Sequence, residues 1–175
     1  MRVPRRRALQ VLPARSVARA GAYINLANVR GSQGRHREAI THLSEALRVN
    51  PYDANAHTDL GAALQHLGHR EQAMDHFRTA IRLQLDHPNA HYNLGLLLME
   101  LGDFDEALRE LQTARRLLPD NPEIPFRLGV LLSNQGRYLE ACANLTKALR
   151  LKPDFEEARQ YLRFCEEKRR KPEAR

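Results

Sequence analysis

Histidine is the residue type whose spacing first points to chemistry in this chain of 175 residues. His66 and His69 lie three positions apart, and His76 follows shortly after them. Imidazole is a common zinc ligand, but a zinc site needs further Cys, His or carboxylate ligands, and none follows at a suitable spacing. His57 and His91 are separated by 34 residues, the same interval as several apolar positions. We therefore interpret the histidines as packing or surface residues and expect no bound metal.

The chain also lacks the common sequence motifs for catalysis. The chain has no Gly-x-Gly-x-x-Gly, no Gly-Lys-Ser/Thr phosphate loop and no Gly-x-Ser-x-Gly nucleophile elbow. Cys142 and Cys165 form neither a Cys-x-x-Cys motif nor a disulfide framework. Carboxylates such as Asp103, Asp105 and Glu110 fall on faces that we predict to be exposed to solvent. We expect a protein that is not an enzyme and that binds no cofactor.

The positive charge of the chain is concentrated at its two ends. The formal net charge is +7, from 28 Lys and Arg against 21 Asp and Glu. Residues 1–19 contain six Arg and no acid, residues 163–175 carry +3, and residues 20–162 carry −2. Pro4 and Pro13 interrupt any long helix in the first segment. We predict that residues 1–19 form a basic arm that is flexible or partly helical.

The basic arm has several possible functions. It is rich in Arg and free of acid, so it resembles a mitochondrial transit peptide. Its charge also suits nonspecific contact with nucleic acid or an anionic membrane, or it is a solvated tail. It lacks aromatic residues for base stacking, which argues against nucleic acid as a partner. No apolar run approaches the ~20 residues of a membrane span, so we expect a cytoplasmic protein, with mitochondrial import as the alternative.

The strongest pattern is a repeat with a period of 34 residues. Each unit has a Leu followed by a small residue, then a Gly, and then two Ala positions that flank a bulky one. The Leu column is Leu26, Leu60, Leu94 and Leu128, the Gly column is Gly34, Gly68, Gly102 and Gly136, and the bulky column is Leu43, Phe77, Leu111 and Leu145. Repeats of this length indicate stacked supersecondary units.

Each unit shows two stretches of helical periodicity with a Gly-containing turn between them. Gly past a helix end favours the left-handed conformation that ends a helix. A Pro such as Pro51 or Pro119 closes the second helix, and we predict that Asp53, Asp120 and Asp154 cap the helix that follows. One helix pair cannot bury its apolar stripe alone, so the units must stack.

These columns resemble the tetratricopeptide repeat family, whose pattern combines Leu-Gly, a later Ala-x-x-x-Phe and a closing Pro. The resemblance implies an all-α fold: a right-handed superhelical solenoid of antiparallel helix pairs with a C-terminal capping helix. The predicted organisation comprises an arm, four repeats, a capping helix and a frayed tail, which span 1–19, then 20–53, 54–87, 88–121 and 122–153, then 154–171, and finally 172–175.

The resemblance also implies a concave groove, lined by the first helix of each pair, that binds an extended peptide or a partner helix. The candidate groove residues are Asn25, Asn28, Asn55, Asp59, Asn89, Tyr92, Asn93, Leu96, Phe126, Arg127 and Val130. Asn side chains can bond both the N–H and the C=O of a peptide backbone. Asn25 and Asn93 occupy one column of the repeat, and this column is similar to the asparagine ladder of O-GlcNAc transferase. Asp59 and Arg127 interrupt it.

Tyr92, Leu96, Phe126 and Val130 form a candidate apolar patch in the C-terminal half of the groove. It would receive an aliphatic or aromatic anchor of a ligand, unless the capping helix or a second copy of the chain covers it. We therefore predict a non-catalytic interaction scaffold or adaptor. The alternative is a regulatory or substrate-recruiting module that serves an enzyme, such as a glycosyltransferase, in trans.

Overall fold

The structure is a computed structural model that describes residues 13–170. These residues form nine α-helices and no strand. The helices are α1 (Ala14–Ser32), α2 (His36–Val49), α3 (Ala54–His66), α4 (Arg70–Leu83), α5 (Pro88–Leu101), α6 (Phe104–Leu117), α7 (Glu123–Asn134), α8 (Tyr138–Leu151) and α9 (Glu156–Arg170). The all-α architecture predicted from the repeat is confirmed.

Apolar residues at helical spacing form each helix pair, as α5 and α6 illustrate. Leu94 and Leu98 of α5 lie in the same buried cluster as Leu111 and Ala114 of α6. Between the two helices Gly102 adopts a φ of 83°, a left-handed conformation that is costly for residues with a Cβ. The 34-residue pattern therefore specifies both the buried stripe and the turn that brings the helices together.

The small column sets the distance between the paired helices. A Cβ added to Gly95 would lie 2.8 Å from Cγ of Leu111, well inside van der Waals contact. Glycine at this position therefore allows the bulky Leu111 of α6 to press directly onto the backbone of α5.

The helix pairs stack with a curvature that can be read from their contacts. Within residues 13–170 the backbones of successive odd-numbered helices approach one another, whereas those of successive even-numbered helices stay further apart and are bridged by long side chains, as Arg78 of α4 reaches Glu106 of α6 at 3.0 Å. Elements on the inner side of a curved stack lie closer together than those on its outer side. The odd-numbered helices therefore line the concave face of a superhelical solenoid.

The N-terminal end of the stack differs from the interior. Leu26 is 45% exposed, whereas Leu94 at the equivalent position is 1% exposed, because no described helix packs beyond α1. The arm over residues 1–19, predicted as flexible or partly helical, is helical from Ala14 onward, where Pro13 precedes the first turn of α1. Residues 1–12 of the arm and the tail predicted at 172–175 lie outside the described residues.

Helix capping only partly follows the sequence prediction. Asp53 caps α3, since its carboxylate accepts a hydrogen bond from the backbone N–H of Ala56 at 3.0 Å. The cap predicted at Asp120 is wrong, because α7 begins two residues later than that cap requires, at Glu123 after Pro122. No cap was predicted for α5, and there Nδ1 of His87 accepts a hydrogen bond from the backbone N–H of Ala90 at 3.2 Å. Histidine is not among the usual capping residues, so sequence reasoning missed it.

Candidate peptide-binding groove

The groove is the concave surface formed by the odd-numbered helices. A helix turns by about 100° per residue, so Asn93, two positions before Gly95, points about 200° away from the face that packs on α6. The same reasoning places the other members of its column, Asn25, Asp59 and Arg127, on the groove side of α1, α3 and α7.

The predicted groove residues differ in how far they are exposed. Four amides are exposed, six side chains are partly exposed and one is buried. The exposed ones are Asn25, Asn28, Asn55 and Asn89; the partly exposed ones are Asp59, Tyr92, Asn93, Leu96, Arg127 and Val130; the buried one is Phe126.

Most of the groove amides have no partner within residues 13–170. The side chains of Asn25, Asn28, Asn89 and Asn93 make no hydrogen bond there, so their donors and acceptors face solvent. Asn55 differs, because its Oδ1 accepts from Nε2 of His87 at 3.1 Å. Since Nδ1 of His87 already accepts from the helix backbone, this ring is neutral, and burial lowers its pKa below the ordinary value.

The two charged members of the column sit in different surroundings. Asp59 makes no ion pair within the described residues, and burial, with a smaller contribution from Asp53, raises the pKa of its carboxyl. The guanidinium of Arg127 lies over the ring of Phe126, 5.2 Å from its centroid, and 3.8 Å from the carboxylate of Glu123. The N-terminal half of the groove therefore contains the unpaired charge.

Phe126 is not available as a ligand anchor, because the capping helix covers it, which is one of the alternatives that the sequence left open. Its side chain is 6% exposed, because α9 packs over it. The ring centroid lies 4.7 Å from that of Phe155, and the ring of Tyr161 meets it edge-on at 5.8 Å. Tyr92, Leu96 and Val130 stay partly exposed, so the apolar patch is smaller than the sequence indicated.

The three histidines with a faint metal-site spacing go to different partners. The ring of His66 stacks on His36 with centroids 4.4 Å apart, His69 precedes α4, and His76 meets His57. Among residues 13–170 no group of three or more His, Cys, Asp or Glu side chains is placed to hold a metal ion.

His57 and His91 occupy equivalent positions in repeats 2 and 3, but the first contacts an imidazole and the second contacts a carboxylate. In repeat 2 Nδ1 of His57 lies 2.9 Å from Nδ1 of His76, and Nε2 of His57 lies 3.1 Å from the carbonyl oxygen of Pro51. The carbonyl only accepts, so one proton shared between the two Nδ1 atoms completes this pair with neutral rings. Burial, with a further contribution from His57, lowers the pKa of His76.

In repeat 3 both ring nitrogens of His91 face acceptors. Nδ1 lies 2.5 Å from Oε2 of Glu110, and Nε2 lies 2.8 Å from the carbonyl oxygen of Leu85. Only an imidazolium donates both bonds, and the hydrogen bond to Glu110 raises the pKa of His91. Glu110, which we predicted to face solvent, is thus half of an ion pair whose side chains are 9% and 20% exposed.

Sequence reasoning missed a cavity of about 230 Å³ between α1 and α3. Its floor includes Ala39 and Leu43, and its rim includes Asp59, His36 and His66. The signal for it was a pair of small residues, Gly31 and Ala62, at positions where repeat 3 has Met99 and Leu96.

The geometry first defines a class: an all-α superhelical solenoid of helix pairs with left-handed Gly turns and a concave inner surface. The sequence comparisons then identify the family. The chain belongs to the tetratricopeptide repeat family, whose profiles match residues 18–86, 58–122 and 92–154. Proteins of this family are generally non-catalytic interaction modules, so this chain is a protein-interaction scaffold. No curated relative matches the sequence.

Solved structures show the same fold. MamA, as the RS-1 ArsTM double mutant, is 24% identical over 89% of this chain and 86% of its own, with a TM-score of 0.77. YrrB, described as a TPR protein with an unusual peptide-binding site, is 26% identical over 88% of this chain and 79% of its own, with a TM-score of 0.74. PilF of Pseudomonas aeruginosa is 23% identical over 89% and 71%, with a TM-score of 0.82. No described helix is long and apolar enough to cross a membrane.

Proposed function

We propose that this chain binds an extended peptide segment of a partner protein in the concave groove. The observation that carries the proposal is a set of amides on the inner side of repeats 1 and 3, Asn25, Asn28, Asn89 and Asn93, whose side chains make no hydrogen bond within the described residues. An amide side chain offers both a donor and an acceptor, so it can pair with the backbone of a peptide whatever its sequence.

Apolar contact adds to this backbone recognition. Leu96 and Val130 are partly exposed on α5 and α7, on the same side as Asn93. A peptide whose backbone follows the amides can place an aliphatic side chain against them, and burying such a side chain contributes about 1.5–3 kcal/mol. The similarity to YrrB, a protein with a peptide-binding site, supports the same use of the fold.

The test is affinity capture of partners by the full chain and by an Asn93→Ala, Leu96→Ala double variant. We expect the variant to recover at least tenfold less partner while keeping its melting temperature within a few degrees, since both residues are partly exposed. A matched control replaces Arg109 and Gln112, two exposed residues of α6 on the outer side, by Ala.

Capture that the groove variant leaves intact, or that the outer variant weakens equally, would exclude the groove as the binding surface. The alternative of an enzyme-recruiting module predicts that a catalytic chain is among the captured proteins. Its absence would count against that alternative and leave groove binding in place.

A further inference from the structure

The cavity between α1 and α3 has an apolar floor and a polar rim. Its floor contains Ala27, Ala39 and Leu43, all 2% exposed, and Gly31 and Ala62 leave it open. At the next junction along the groove the equivalent positions are Gln65 and Leu96. The cavity therefore arises from two small side chains at this junction, and its volume of about 230 Å³ lies below that of pockets for drug-sized ligands.

The rim offers hydrogen-bond acceptors without a cation to satisfy them. Asp59 lines the cavity and has no ion-pair partner among the described residues. The hydroxyl of Ser32 donates to the carbonyl oxygen of Val29 at 2.9 Å, so its oxygen is left to accept. Asn28 adds an amide oxygen on the same rim, and this oxygen has no hydrogen-bond partner among residues 13–170.

An unpaired carboxylate that is partly removed from water gains from a cation. Burial raises the pKa of the Asp59 carboxyl, which means that its charged form is disfavoured in the empty cavity. An ammonium group brings three donors and the opposite charge, while an aliphatic stem matches the apolar floor.

We propose that this cavity binds a lysine side chain of the partner peptide, with the aliphatic stem on Ala39 and Leu43 and the ammonium group at Asp59. The proposal rests on peptide binding in the groove and names one residue type that the peptide carries. A lysine that enters here would fix the register of a backbone held by the sequence-tolerant amides.

The test is an NMR titration of the full ¹⁵N-labelled chain with two blocked peptides, acetyl-Gly-Ser-Lys-Ser-Gly-amide and its analogue with Met for Lys. We expect the lysine peptide to shift the backbone amides of Gly31, Asp59 and Ala62 and to bind at least fivefold more tightly than the methionine peptide. Equal affinity for the two peptides, or no shift at these amides, would overturn the proposal.

Two variants locate the effect. Asp59→Asn keeps the shape of the side chain and should lower the affinity for the lysine peptide at least fivefold, whereas Asp75→Asn, which removes the same charge from an exposed position on α4, should change it less than twofold. Ala62→Leu introduces the residue that repeat 3 has at Leu96, so it should fill the cavity and abolish binding without unfolding the chain. Unchanged affinity in Asp59→Asn overturns the proposal.

Other occupants appear as distinct outcomes. Binding of n-butylammonium that is tighter than that of the lysine peptide would assign the cavity to a free amine and overturn the peptide assignment. Tighter binding of the lysine peptide after replacement of Arg2, Arg5, Arg6 and Arg7 by Ser would show that the chain's own N-terminus occupies the cavity in the free protein, and would overturn a partner peptide as its first occupant.

Failure of the cavity and failure of the groove are distinguishable. If both peptides bind alike while Asn93→Ala, Leu96→Ala still reduces partner capture, the groove stands and the lysine cavity does not. If the lysine peptide alone shifts the cavity amides while capture is insensitive to the groove variant, the cavity binds lysine and the groove function fails.

Discussion

Repeats 2 and 3, residues 54–87 and 88–121, pack in the same way and respond differently to protons. Leu60 and Leu94 are both buried, and Gly61 and Gly95 both lie against a bulky residue of the paired helix. One position between the paired helices differs, however, and we call it the histidine slot. There His57 meets the imidazole of His76 in repeat 2, and His91 meets the carboxylate of Glu110 in repeat 3. One histidine position thus carries a neutral hydrogen bond in one repeat and an ion pair in the next.

The comparison separates what a repeat needs to fold from what distinguishes it. The packing columns depend on volume and burial, which the two repeats share. The charge of the slot depends on a single residue of the second helix, Glu110 or His76, because the partner decides which protonation state of the imidazole is favoured.

The largest expected effect tests whether the packing of the two repeats is equivalent. Leu60→Ala and Leu94→Ala each remove a buried side chain, so each should lower the free energy of unfolding by about 2–5 kcal/mol. Leu26→Ala, at the exposed position of the same column, should lower it by about 0.5 kcal/mol or less. Urea denaturation measures all three. A large difference between the first two variants would contradict equivalent packing.

A smaller effect isolates the ion pair of repeat 3. The hydrogen bond to Glu110 raises the pKa of His91, so its contribution is fully present below about pH 6.5, the ordinary value, and is lost as the pH rises through the raised pKa. Glu110→Gln should therefore lower the free energy of unfolding by about 1.5 kcal/mol at pH 6 and by less at pH 9. Urea titrations at both values check this, and a loss that grows with pH would contradict it.

The smallest expected effect comes from a substitution that builds the same ion pair in repeat 2. Burial and His57 lower the pKa of His76. The free energy of unfolding therefore decreases as the pH falls below about 6.5, because the unfolded chain takes up a proton at this group more readily than the folded one. His76→Glu removes that group and places a carboxylate beside His57, which should raise the free energy of unfolding by about 1 kcal/mol at pH 6.

The control for this variant is His42→Glu, at the same position of repeat 1, where the partner ring is Tyr23. It adds the same charge without an imidazole opposite, so it should bring no gain at pH 6. A gain of equal size in both variants, seen by thermal denaturation, would show that the effect comes from net charge and not from the slot.

Much of the fold could be predicted from the sequence because packing is periodic. The 34-residue columns identified the helix pairs, and the Gly turns were confirmed by their positive φ angles. Capping was less predictable, since the cap at His87 depends on where Asn55 of the preceding repeat places its carbonyl oxygen. The groove residues stay predictions, with Phe126 removed from them.

What the sequence determined by itself is therefore local and repetitive: which residues are helical, which are buried, and where each pair turns. Only the tertiary structure decided which polar groups meet. The cover over Phe126, the ion pair of His91 with Glu110 and the open cavity beside Asp59 each depend on side chains from two or more elements. Their distance, exposure and protonation depend on how those helices stack, and a period in the sequence does not encode the identity of the facing residue.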